Sequence, residues 1–77
     1  MTESVKIEKK EGRLIISGDL NFSTVPYIWK ESLTMLETLP ELKFDLEKIS
    51  SSNSAGLALL LEWIKYAKNA QKKIINI

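Results

Sequence analysis

One stretch, Asp45 to Lys68, constrains this chain more than any other. With Phe44 in front, its left end alternates apolar and polar residues, which predicts a strand. Its middle, Ser50 to Gly56, is a run of small polar residues that predicts a loop or a helix start. Its right end carries apolar residues at helical spacing. Strand, small-residue loop and helix in that order put a side chain and several backbone N–H groups at the open first turn of a helix. A site, if the chain has one, is expected there.

The rest of the chain arranges itself around that unit. Val5 and Ile7 alternate with Lys6 and Glu8 as in a half-buried strand. Lys9-Lys10-Glu11-Gly12 predicts a turn, with Gly12 supplying a positive φ. Leu14-Ile15-Ile16 forms a second strand stopped at Ser17-Gly18, so the two make an antiparallel hairpin. Asp19 to Ser23 reads as a loop. Ser23 or Thr24 can cap a helix that has Pro26 in its first turn, where a missing N–H costs little. Val25, Ile28, Trp29, Leu33 and Leu36 form one face of that helix, with Trp29 as a core anchor. The helix is expected to end near Leu39-Pro40. Leu42, Phe44 and Leu46 make a third strand, with Ile49 returning to the core. A second helix runs to about Ala70, and Ile74 to Ile77 form a fourth strand after a Gln71-Lys72-Lys73 connector.

The expected order is therefore β-β-α-β-α-β: a single α/β domain over residues 1–77, a small mixed sheet with an antiparallel hairpin and parallel later strands. Ending on a strand directly after a βαβ unit predicts a missing C-terminal helix, or a partner that covers the sheet in its place.

On a helical wheel the second helix has two apolar stripes roughly 130° apart. Leu57, Leu60, Leu61, Ile64 and Ala67 are expected to face the core. Leu59, Trp63, Tyr66 and Ala70 form the other stripe, with Ala58, Glu62, Lys65 and Asn69 as a polar strip. The second stripe either packs on the first helix or an absent terminal helix, or docks another protein or a second copy of the chain. Its Leu-Trp-Tyr composition suits an interface.

Composition removes several functions. The 77 residues suffice for one small domain. A net charge of +1, with lysines scattered, offers no basic stripe for nucleic acid. There is no Cys and no His, which removes disulfides, thiolate chemistry, the usual zinc sites and His-based acid–base catalysis. No G-x-x-x-x-G-K-S/T loop and no nucleophile–base pair is present. No apolar run approaches the roughly 18 residues that span a bilayer, and the N-terminus is not a signal peptide. A cytoplasmic, non-enzymatic protein with no direct membrane insertion is expected.

The residues D-L-E-K-I-S-S-S-N-S-A-G-L-A-L-L-L resemble the signature of STAS domains, where a strand ends in Asp-Leu and a loop closes on Asp-Ser/Thr-small-Gly-Leu. The resemblance covers nearly the whole chain, including the opening hairpin and the G-D-L that follows it. Two branches of the family are in view. In anti-sigma factor antagonists the Ser of the motif, here Ser54, is phosphorylated by an anti-sigma factor kinase. In the MlaB-like branch the domain binds the ATPase subunit of a phospholipid-transporting ABC complex. G-L-A-L-L-L-E-W-I-K-Y-A-K and P-Y-I-W-K-E are closer to the second branch. Asn53 replaces the Asp usual before the Ser, which weakens the phosphoswitch and leaves helix capping intact. The resemblance implies a partner-binding site at Ser52, Asn53, Ser54, Ala55, Gly56, Leu57, Leu59 and Trp63, with Ser54 as phosphoacceptor under the alternative. It implies no cofactor, no metal and no catalytic residue; a homodimer would use the same surface. The partner would hold the protein at the inner face of the membrane.

Overall fold

The structure is a computed structural model that describes residues 5–76. Its elements are β1 (Val5–Lys10), β2 (Arg13–Leu20), α1 (Val25–Glu37), β3 (Glu41–Ser52), α2 (Ser54–Ala70) and β4 (Lys73–Asn76). The order β-β-α-β-α-β is the expected one. Ile77, expected to close the last strand, lies outside the described residues.

The strands lie side by side in chain order, β1-β2-β3-β4. β1 pairs with β2 antiparallel, while β2–β3 and β3–β4 are parallel. The hairpin turn is two residues long: Glu11 (φ 53°) and Gly12 (φ 78°) both sit in left-handed backbone between the paired Lys10 and Arg13. That is the primed turn whose twist matches a right-twisted hairpin. Each parallel pair is joined through a helix, as parallel strands require.

Both helices cover the same face of the sheet. Val5, Leu14, Ile16, Leu20, Leu42 and Phe44 point into a core shared with Ile28 and Leu36 of α1 and Leu59, Trp63 and Ala67 of α2. The strand residues follow the period of two and the helix residues the period of 3.6. The opposite sheet face carries charge, including the ion pairs Lys6–Glu8 (3.4 Å) and Arg13–Asp45 (3.7 Å). Trp29 packs against the core from α1, half-buried, as an anchor should.

Three local expectations are corrected. β2 does not stop at Ser17-Gly18 but runs to Leu20, because Leu14, Ile16, Gly18 and Leu20 continue one period-two face. Ser50, Ser51 and Ser52 are not loop: Ser51 and Ser52 extend β3 by pairing with Asp19 and Leu20. Thr24 precedes α1 but does not cap it with its side chain. Its hydroxyl turns back to donate to the Asp19 carbonyl at 2.7 Å. Asn21 Oδ1 instead accepts from the Ser23 and Thr24 N–H groups at 2.8 and 3.0 Å, an Asx turn that leads into the helix.

The other end of α1 is closed from outside. Lys72, expected as a connector, donates its Nζ to the Leu36 and Glu37 carbonyls at 2.6 and 3.2 Å. A cation there satisfies orphan carbonyls and opposes the negative end of the helix dipole.

Candidate functional site

The site is built where β2 and β3 end together. Pairing of Asp19 with Ser51 and of Leu20 with Ser52 brings both strand ends to one edge. Only Asn53 separates β3 from α2. Its backbone is extended (φ −114°, ψ −163°), its N–H donates to the Leu20 carbonyl at 3.1 Å, and its Oδ1 accepts from the Ala55 N–H at 2.8 Å. The Asn53 carbonyl accepts from the Gly56 N–H at 2.9 Å. Asn53 is thus an N-cap tied on both sides, which fixes the direction in which α2 leaves the sheet.

That first turn lies tight against the strands. Gly56 is buried, and a Cβ on it would run into the Ser52 Oγ, with Leu20 side-chain atoms 3.4 Å away. Ala55 is buried as well. Ser54 stands on the outer side of the turn and is exposed. Leu57 follows, 60% exposed for an apolar side chain. Beside it opens a groove of about 360 Å³ lined by Leu46, Ile49, Ser52, Gly56, Leu57 and Leu60.

Asp19 braces the edge from β2. Its Oδ1 accepts from the Ser50 hydroxyl at 2.7 Å and the Ser51 hydroxyl at 3.0 Å. Those bonds, Ser50 first, hold its carboxyl below the ordinary carboxylate value. The sequence pattern places Asp19 in a loop and both serines in a loop or helix start; the structure puts all three in strands. The signal that could have found them is Leu20, in phase with Leu14 and Ile16 at a period of two, which keeps Asp19 in a strand.

The structure brings Ser52, Asn53, Ser54 and Leu57 together on the exposed side of this edge, with Ala55 and Gly56 beneath them. Leu59 and Trp63 are not on a docking surface. They are 1% and 0% exposed, and Trp63 stacks on Phe44 with ring centroids 4.3 Å apart. Most of the two stripes of α2 change places relative to expectation: Leu57, Leu61 and Ile64 are exposed, at 60%, 54% and 47%, while Ala67 faces the core as expected and Ala70 is exposed. The reason is shape. The sheet offers an aromatic ring at Phe44, and a stacked indole fills that space with large apolar area.

This edge offers hydroxyls, the Asp19 carboxylate, an exposed apolar side chain and an apolar groove. Among the described residues no group of three or more His, Cys, Asp or Glu is placed to hold a metal ion. No helix of the described residues is long and apolar enough to cross a membrane. A family model described as Mlab, STAS domain matches residues 3–75. No curated protein matches the chain.

Proposed function

This chain belongs to the STAS domain family, in its MlaB-like branch, and on that premise we propose that it is a non-enzymatic accessory subunit that binds the ATPase of a phospholipid-transporting ABC complex. The family is one of protein-interaction modules. The observation that carries the finer reading is the presentation of Ser54 and Leu57 at the start of α2. A polar hydroxyl and a largely exposed leucine sit there beside an apolar groove, on a turn whose direction is set by Asn53. An exposed leucine at the lip of an apolar groove gains free energy when a partner removes it from water. The partner-binding residues in this reading are Ser52, Asn53, Ser54 and Leu57, with Ala55 and Gly56 shaping the turn from below. The protein would then work in the cytoplasm, held at the membrane by its partner.

The exposure of Ser54 also supports the alternative, an anti-sigma factor antagonist in which a partner kinase phosphorylates Ser54. A phosphate there would favour the positive end of α2 but would load a docking surface with charge. One experiment separates the two. A tagged chain is used to recover partners from native cytoplasm and solubilised membrane, read by mass spectrometry. Recovery of an ABC ATPase with its permease is the expected result. Recovery of a serine kinase that binds a sigma factor would overturn it.

A further inference from the structure

The β2–β3 ladder is irregular immediately before the site. Gly18 pairs with Ile49, but the next pair is Asp19 with Ser51, so Ser50 is an extra residue in β3. A bulge of this kind interrupts the ladder and leaves the following residues open to a slip of one position. Such a slip would turn Ser52 to the other face of the sheet and move Asn53 away from the Leu20 carbonyl that it bonds. Side-chain packing resists it only where Ser52 lies against Gly56, since Ser50, Ser51 and Ser52 are small and exposed.

We propose that Asp19 is the positioning residue of the docking site: one carboxylate oxygen takes the hydroxyls of both Ser50 and Ser51 and so fixes the register that carries Asn53 and Ser54. This rests on the reading of the α2 start as the docking site. Both bonds go to the same atom, Oδ1, at 2.7 and 3.0 Å. The two serines are the bulge residue and its neighbour, so a slip that brings Ile49 opposite Asp19 loses one of the two bonds. Asp19 is itself held from the other side, where its carbonyl accepts the Thr24 hydroxyl at 2.7 Å. The clamp therefore ties the end of β3 to the start of α1 through one residue. Its geometry needs an acceptor at Oδ1, which an amide also supplies, without the charge that strengthens the two bonds.

The test is amide hydrogen exchange by NMR on the whole chain, with ATPase binding measured in parallel. Asp19→Ala is expected to speed exchange at the Asn53 amide about tenfold, while the β1–β2 hairpin keeps its protection. Asp19→Asn, which keeps Oδ1, is expected to stay within about threefold of the parent. Ser50→Ala with Ser51→Ala should reproduce Asp19→Ala and keeps the test usable if that variant fails to fold. Adding Asp19→Ala to the double variant should bring no further change, since one set of bonds is removed either way. ATPase affinity should fall in Asp19→Ala and recover in Asp19→Asn. Unchanged Asn53 exchange in Asp19→Ala and in the double serine variant overturns the clamp. So does an Asp19→Asn that behaves like Asp19→Ala, or faster exchange with unaltered ATPase affinity. A parent chain that does not bind the ATPase overturns the docking reading itself, and the positioning claim with it, whatever the exchange data show.

Discussion

The indole N–H of Trp63 donates to the Ser32 Oγ at 3.0 Å, and both side chains are fully buried between α2 and α1. Ser32 in turn donates to the Trp29 carbonyl at 2.7 Å. The chain of donors and acceptors is closed, so the indole is buried without an orphaned polar group. Below it the ring lies on Phe44 at an interplanar angle of 20°. One side chain thus joins both helices to the sheet.

Trp63→Ala is therefore expected to destabilise the fold by about 3–5 kcal/mol, the range for a large aromatic removed from a core. Trp63→Phe keeps a ring to stack on Phe44 but removes the donor to Ser32 and leaves a cavity where the larger indole stood, and should cost about 2–3 kcal/mol. Urea denaturation followed by circular dichroism measures both. An alanine variant with an unchanged midpoint would contradict the placement of Trp63.

The exchange of stripes shows where sequence reasoning ran short. Period and composition identified two apolar faces on α2, but the wheel carries no information on which face meets the sheet. Leucine and isoleucine outnumbered the aromatic stripe and were assigned inside. The small residues were the better guide: Ala55, Leu59, Trp63 and Ala67 recur every four residues, and the small ones at the ends let the helix approach the sheet. Ser32, polar at the middle of the inward face of α1, was a second sign that a buried donor needed an acceptor. Element order and strand direction were legible because alternation, turn chemistry and helical crossovers are local. The serine extension of β3 was not, because it exists through pairing with residues more than 30 positions away. At the site, a helix cap in the small-residue run and the place of Ser54 at the helix start were readable from the motif; the exposure of Leu57 and the bracing by Asp19 were not.

Asp19 should leave a mark on the acid limb of the stability curve. Its folded-state pKa lies below the ordinary value because the Ser50 and Ser51 hydroxyls favour the charged form. A lowered folded pKa means the unfolded chain binds the proton more readily. Its contribution is therefore complete above the ordinary carboxylate range, and is lost as pH falls through the lowered folded value. The difference in stability between the parent and Asp19→Asn, followed from pH 7 to about pH 2, should shrink toward acid pH. A difference that grows on acidification would show the opposite sign of shift.

Gln71 closes α2 in left-handed backbone, φ 56° and ψ 40°, while the Lys72 N–H reaches back to the Ala67 carbonyl at 2.8 Å. Glycine takes that conformation without the penalty a Cβ brings. Gln71→Gly is expected to leave the fold intact and raise stability by about 0.5–1 kcal/mol. Thermal melts of the two proteins side by side decide it; a lower midpoint would mean that the Gln71 side chain contributes more than its backbone strain removes.

The remaining prediction separates folding from docking at α2. Leu57 is 60% exposed, so replacing it with Asp should change stability by no more than about 0.5 kcal/mol. In the docked state the same carboxylate would lie against the apolar groove formed by Leu46, Ile49 and Leu60, stripped of water and without a counter-charge. ATPase binding should therefore fall by at least about a hundredfold, mostly through faster dissociation. Ser54→Asp should behave alike, with a negative charge that suits the start of α2 but not an interface. Calorimetric titration of the ATPase against folded variants reads the affinity, and denaturation of the same samples reads the fold. Undiminished affinity in both variants would move the docking surface away from the start of α2. Lost affinity in Leu57→Asp alone would confine it to the groove and free Ser54 for another role.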